Sequence, residues 1–214
     1  ANIDLSDREG MFFSNGLGSY VNFPASEYIC YIDQLKWEMD KEQLTFGNKD
    51  VLSKSRSQFI STNKNQDSLS FYAKSADYSL RDYVINASGV DSMAIADAII
   101  YPDSAKLIVS RNAEIQTLKN SKILLDTLVR YHEFDNATID IFGKNNYEAS
   151  GDYIYIDALK NKQPIFFSEI IVNKDTISVA NGNVNQTQEF KIGSRYDYYG
   201  DIKLIGDRKD KKFT

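Results

Sequence analysis

Apolar and polar positions alternate along much of this chain. In residues 35–39, three apolar side chains fall on one side and two charged side chains on the other, which is the period of a half-buried strand. A second alternating run at 44–46 follows a polar turn at 40–42. The two runs predict a β-hairpin. The alternative is a helix whose apolar positions would be 28, 32, 35 and 39.

From residue 82 onward a longer regularity is visible. A short polar residue, usually followed by a small or aromatic one and then by β-forming residues, recurs at positions 82, 97, 112, 120, 136, 152, 168, 183 and 201. Asn, Asp and Ser suit turns, because their side chains bond nearby backbone. The commonest separations are 15 and 16 residues, the length of two strands with their turns.

This spacing predicts an all-β fold, either a stacked or curled β-solenoid or a β-jelly-roll with paired strands in each rung of about 16 residues. The alternative is an antiparallel β-sandwich, whose strands also recur every 8–12 residues or so. In the repeat interpretation, four isoleucines face inward at equivalent positions: Ile100, Ile115, Ile123 and Ile139.

Three regions are predicted from the changes in composition. Residues 1–52 would form an N-terminal β-hairpin or lid region, in which Trp37 is buried. Residues 53–67 are rich in Ser, Asn and Lys and would form a polar linker or loop. Residues 68–214 would form the repetitive β domain.

Charge and cysteine content narrow the classes of partner. The 25 basic and 30 acidic residues give a net charge of −5, and the only basic block is 208–212, so we expect no nucleic-acid partner. Cys30 is the only cysteine, which leaves no disulfide and no thiolate metal site. No window is long and apolar enough for a membrane span. The chain starts at Ala1 without Met, and we expect a mature or excised part of an exported protein.

Catalytic chemistry has little support in the sequence. His132 is the only histidine, and a Ser-His-Asp or Cys-His site needs a histidine base. No nucleophile elbow of the Gly-x-Ser-x-Gly type and no phosphate-binding Gly loop is present. We therefore expect a non-enzymatic protein with no catalytic residue, no metal and no cofactor.

Three stretches of the chain resemble a known family. Residues 136–139, 176–184 and 199–204 combine a turn Asn or Gly with alternating apolar residues. They resemble the strand-and-turn repeat of OstA-like domains, in the periplasmic lipopolysaccharide-transport family. The resemblance covers roughly residues 68–206, and the whole chain also resembles repeats in large uncharacterised envelope proteins of the Bacteroidetes. The resemblance implies a V-shaped stack of paired strands around an apolar groove, a lipid ligand, and a periplasmic or cell-surface location.

A second resemblance concerns modification. Five tripeptides of the form Asp-Ser/Thr-apolar resemble the acceptor for O-glycosylation of exported Bacteroidetes proteins; they begin at Asp67, Asp91, Asp103, Asp126 and Asp175.

Two functions are left open. The first is a structural or bridging module of a bacterial envelope protein, with an apolar or lipid ligand in its groove. The second is a glycan- or protein-binding module with an exposed aromatic platform, whose candidate ligand-binding residues are Tyr196, Asp197, Tyr198, Tyr199 and Asp201. The last segment, through Phe213, opens like another strand, so we also expect edge-strand pairing with another β domain or a second copy.

Overall fold

A computed structural model describes residues 1–14, 19–32, 34–47, 57–126, 131–157, 159–193 and 196–214. Within these ranges the chain is all-β with antiparallel sheets, as predicted. The strands are β1 (Asn2–Asp4), β2 (Glu9–Phe13), β3 (Tyr20–Phe23), β4 (Tyr28–Tyr31), β5 (Gln34–Glu38), β6 (Gln43–Gly47), β7 (Ser57–Ser61), β8 (Ser70–Ala73), β9 (Ser75–Ser79), β10 (Val84–Ser88), β11 (Met93–Ile95), β12 (Ala98–Tyr101), β13 (Lys106–Val109), β14 (Leu118–Leu125), β15 (His132–Gly143), β16 (Asn146–Ile156), β17 (Lys162–Val172), β18 (Ser178–Val184), β19 (Lys191–Gly193), β20 (Tyr196–Asp197), β21 (Gly200–Ile205) and β22 (Lys212–Phe213). Short 3₁₀ turns lie at Lys64–Gln66, Asp103–Ala105, Arg111–Ala113 and Gln186–Gln188.

The chain divides into two compact units. Unit 1 comprises Ala1–Met93, Ser104–Gln116 and Phe142–Lys144, and unit 2 comprises Ala94–Asp103, Thr117–Ile141 and Asn145–Thr214. Of the predicted polar linker, residues 53–56 lie outside the described ranges, whereas Ser57–Ser61 form β7 inside a sheet of unit 1.

In the described part of unit 1, successive hairpins alternate between two sheets. One sheet has the order β1-β2-β5-β6-β9-β10-β13 and the other the order β3-β4-β7-β8. The hairpin predicted from residues 35–46 is confirmed: β5 and β6 pair, with Leu35 opposite Phe46 and Trp37 opposite Leu44. The predicted burial of Trp37 is only partial: this residue is half-buried, two residues along β5 from the buried Leu35.

The two sheets of unit 1 meet through aromatic rings. Phe23 of β3 packs against Phe46 of β6 at 5.3 Å and against Tyr78 of β9 at 4.6 Å, measured between ring centroids. Phe59 of β7 meets Phe46 of β6 edge to face at 6.5 Å. Each such ring removes a large apolar area from water. This arrangement corresponds to the sandwich alternative of the sequence analysis.

The main sheet of unit 2 is curled and has the described strand order β11-β12-β14-β15-β16-β17-β18-β21-β22. In the same unit, β19 and β20 form a separate two-stranded sheet. Its inner face is packed with aromatic and aliphatic side chains. Phe134 and Phe167 are fully buried and meet edge to face at 5.3 Å. Tyr153 packs against both rings, at 5.5 Å and 5.8 Å.

A row of β-bulges crosses the middle of this sheet. The pairing register shifts on both sides of Ser121 in β14–β15, between Ala149 and Gly151 in β16–β17, and between Phe167 and Glu169 in β17–β18. Bulges increase local twist and bend a strand. Small residues line the row. A Cβ atom on residue 182 would lie only 3.0 Å from the Phe167 ring, so Gly182 leaves the space that this ring occupies.

The bulge row corrects part of the repeat interpretation. Asn120, Asn136 and Asp152, predicted as turn residues, lie inside long strands, and the two asparagines have positive φ at or next to register shifts. A bulge and a turn both use left-handed backbone and favour the same residue types. The sequence pattern therefore predicts turns at positions where the structure has bulges. The predicted burial of the four isoleucines is confirmed. Ile100 and Ile123 are paired across β12 and β14, whereas Ile115 belongs to unit 1.

Candidate functional site

The predicted tyrosine cluster is split by the structure. Tyr196 and Tyr199 are 70% and 65% exposed. Asp197 is exposed and lies 3.7 Å from the Lys191 ammonium. Asp201 accepts a hydrogen bond from the side-chain amide of Asn183 at 2.7 Å. These side chains are accessible to a ligand.

Tyr198 has a structural role instead. Its hydroxyl accepts the backbone N–H of Thr214 at 3.0 Å and lies 2.5 Å from the carbonyl oxygen of Asp201. Its ring packs edge to face on Phe213 at 5.0 Å and on Phe190 at 6.4 Å. Tyr198 therefore holds the last residues of the chain against β21, and two of the three predicted tyrosines are left for stacking.

A cleft that was not predicted from the sequence lies at one end of β15, β16 and β17. We call it the β15–β17 cleft; its volume is about 470 Å³ and its lining residues are Tyr131, Glu133, Asp135, Tyr153, Ile154, Ile156, Lys162 and Lys211. The signal was present in residues 153–156, which are apolar at every position. Alternation then places Tyr153 in the core and leaves Ile154 and Ile156 41% and 58% exposed.

Charges of both signs surround the cleft and nearly cancel. The Lys122 ammonium contacts Glu133 and lies 4.0 Å from Asp135, and the hydrogen bond to Glu133 raises the pKa of Lys122. Lys162 and Lys211 contribute two positive charges to the lining itself. The lining holds two carboxylates and two ammonium groups, and Lys122 beside it adds one further positive charge, so the cleft is polar with a small net charge.

The only histidine is a buried structural group. His132 is fully buried, its Nε2 lies 2.6 Å from the carbonyl oxygen of Arg208, and its Nδ1 lies 3.5 Å from the Tyr153 hydroxyl. Because a carbonyl only accepts, Nε2 carries the proton. Burial lowers the pKa of His132.

Another polar cluster in unit 2 is satisfied internally. The Ser178 backbone N–H donates to both carboxylate oxygens of Asp97 at 3.0 Å, and the Ser178 hydroxyl also contacts that carboxylate. The Tyr147 hydroxyl lies 2.7 Å from the Ser178 hydroxyl, and burial raises the pKa of Tyr147. The network connects Asp97, which precedes β12, to β16 and β18.

A smaller cleft of about 310 Å³ lies on unit 1. Its central cation, Lys36, lies 2.6 Å from Glu9 and 3.7 Å from Glu38, and the hydrogen bond to Glu9 raises the pKa of Lys36. These charges already neutralise one another, which leaves little to recognise a ligand.

Four of the five possible O-glycosylation acceptors are exposed: Ser68, Ser92, Ser104 and Thr176. The fifth, Thr127, and the Leu128 that follows it lie outside the described residues. Exposure on the surface is what a modifying enzyme requires.

Searches for similar proteins gave no match among protein-family models, curated proteins or solved structures. Among the residues that the structure describes, no helix has the length and apolar character needed to cross a membrane. In the same residues, no group of three or more His, Cys, Asp or Glu side chains is arranged to hold a metal ion.

Proposed function

We propose that this chain is a non-enzymatic binding module of a bacterial envelope protein and that it binds a glycan in the β15–β17 cleft. The observation that carries the proposal is the combination of exposed apolar side chains and hydrogen-bonding groups in one concave site. The envelope location follows from the sequence resemblance.

The lining of the cleft matches the two sides of a sugar ring. The apolar C–H face of a sugar would pack on Tyr131, Ile154 and Ile156, whose exposed parts offer an apolar floor. Carboxylates accept hydrogen bonds from hydroxyls, and ammonium groups donate to hydroxyl oxygens. In this proposal Glu133, which also pairs with Lys122, accepts from a sugar hydroxyl, and Lys162 donates to one. The small net charge favours a neutral glycan over a strongly anionic or cationic ligand.

The other proposal, a bridging module that carries an apolar molecule on the inner face, has less support. Phe134, Phe167 and Ile170 fill that face in the described part of unit 2 and are fully buried. Interiors packed to this degree leave few voids larger than a water molecule. An apolar ligand would have to displace the core of unit 2.

The test is a glycan-array screen followed by isothermal titration with the best neutral oligosaccharide. We expect Tyr131→Ala to weaken binding about ten-fold, equivalent to about 1.4 kcal/mol, because it removes an aromatic wall of the cleft. Tyr199→Ala is the matched control, since Tyr199 is an exposed tyrosine outside the cleft. Loss of binding in Tyr199→Ala but not in Tyr131→Ala would move the site to the tyrosine cluster. Failure to bind any glycan would refute the proposal.

A further inference from the structure

The last eight residues, 207–214, cross the aromatic end of the inner face of unit 2; we call them the C-terminal strap. Gly206 fixes the start of the strap through its N–H, which donates to the Ser178 carbonyl at 2.8 Å. The Lys211 ammonium lies 5.8 Å from the ring centroids of both Tyr153 and Tyr155. Phe213 packs edge to face on Tyr155 at 6.0 Å. The strap thus covers rings that would otherwise meet solvent.

Few backbone bonds hold the strap in place. β22 pairs with β21 through only two residue pairs, Ile202 with Phe213 and Lys203 with Lys212. Thr214 adds a reciprocal pair of backbone hydrogen bonds with Asp201, at 2.9 and 3.0 Å. Short edge segments of this kind open at a much lower free energy than the core. The strap can therefore lift while β14–β18 stay paired, provided that the contacts of Tyr198 with Thr214 and Phe213 break with it.

His132 joins the strap to the sheet by a hydrogen bond near Arg208. Its Nε2–H donates to the Arg208 carbonyl. The other titratable groups that face the imidazole are the Tyr153 hydroxyl from β16 and the Lys211 ammonium from the strap. From β14, its register partner is the apolar Leu125. None of these groups is a carboxylate, so a second proton would place an uncompensated positive charge beside Lys211.

The closed strap therefore disfavours the protonated imidazole. Burial is the larger cause of the lowered pKa of His132, and the Lys211 charge lowers it further, against the opposing effect of the Arg208 hydrogen bond. Lifting the strap would expose the ring to water and return its pKa to about 6.5. The closed state binds the proton more weakly than the open state. The free energy that favours the closed strap is therefore at its full value above about pH 6.5 and decreases as the pH falls below that value.

We propose that the C-terminal strap is a lid latched by His132 and that mild acid opens it. Opening exposes Tyr153 and Tyr155 and removes Lys211 from the wall of the β15–β17 cleft. The consequence for ligand binding rests on the proposed glycan site. The lid itself does not, because it depends only on contacts within unit 2.

The experiment uses the full chain without ligand. His132 is the only histidine, so its imidazole proton resonances are unambiguous in an NMR titration. We expect a pKa below the ordinary value. In parallel, hydrogen–deuterium exchange of residues 207–214 is measured at pH 7.5 and 5.5 and expressed as protection factors, which removes the intrinsic pH dependence of exchange. The open fraction should rise by up to about ten-fold at pH 5.5, one unit below the ordinary pKa of histidine.

His132→Gln is the control variant. Its side-chain amide can still donate to the Arg208 carbonyl but cannot titrate in this range, so its strap should show equal protection at both pH values. A His132 pKa at or above 6.5 in the wild-type chain would overturn the proposal even if the variant did not fold. The same acid-induced loss of protection in His132→Gln would also overturn it. A chain that binds no glycan but passes both tests would refute the proposed function and leave the lid standing.

Discussion

The two adjacent phenylalanines of β17 provide a matched test of which face of the unit 2 sheet is the core. Phe167 is fully buried between Phe134 and Tyr153, whereas Phe166 is 54% exposed on the opposite face. Phe167→Ala removes a ring that has no mobile neighbour to replace it, since the residue paired with it on β18 is Gly182. Buried Phe→Ala changes cost about 3–5 kcal/mol. The two edge-to-face contacts that are also lost are each worth about 0.5–1.5 kcal/mol beyond the buried area, so we expect a cost in the upper half of that range, about 4–5 kcal/mol.

Urea unfolding followed by far-UV circular dichroism measures the change in the free energy of unfolding from the shift of the midpoint at constant m-value. Trp37 fluorescence is recorded alongside, because the only tryptophan lies in unit 1 and the mutation lies in unit 2. Phe166→Ala is the control and should stay within about 0.5 kcal/mol of wild type. Equal destabilisation by the two variants, or a larger effect of Phe166→Ala, would refute the assignment of the inner face.

Two further outcomes are expected. Tyr147→Phe should destabilise unit 2 by about 1 kcal/mol in the same unfolding assay, because it removes one buried hydrogen bond to Ser178 while leaving the bond from Ser178 to Asp97; an unchanged midpoint would contradict the network. Cys30 should resist alkylation by iodoacetamide in the native protein and react in urea, because it is fully buried and burial raises the pKa of its thiol; rapid labelling without denaturant would show that the core of unit 1 is open.

Local patterns in the sequence were enough for the fold class and for single hairpins. The alternation in residues 35–39 and 44–46 predicted β5 and β6, and the pairing of Leu35 with Phe46 confirms it. Long strands with bulges were not predicted, because asparagine at positions 120 and 136 is a typical turn residue. In the structure both asparagines do have the positive φ found in turns, but they lie within strands. Whether such a residue ends a strand or bends it depends on pairing with a neighbouring strand, which is a tertiary property.

The candidate site shows the same limit. Tyr198 was grouped with Tyr196 and Tyr199 by proximity in sequence, yet its hydroxyl bonds to Thr214. The β15–β17 cleft combines residues from 131 to 211, and no spacing rule connects positions so far apart. The apolar run at 153–156 was the one local signal of an exposed apolar surface.

The alternation of hairpins between the two sheets of unit 1 has a consequence for how this unit folds. Each of the hairpins β3–β4, β5–β6 and β7–β8 is followed along the chain by a hairpin of the opposite sheet. The sheet containing β5–β6 therefore gains its next strand pair only after the chain has passed through the other sheet at β7–β8. The contact between Phe23 and Tyr78 joins residues that are far apart in the sequence. The chain loses the conformational entropy of that long loop before the contact contributes to stability. Such topologies fold slowly, and we expect the two sheets of unit 1 to form in one cooperative step.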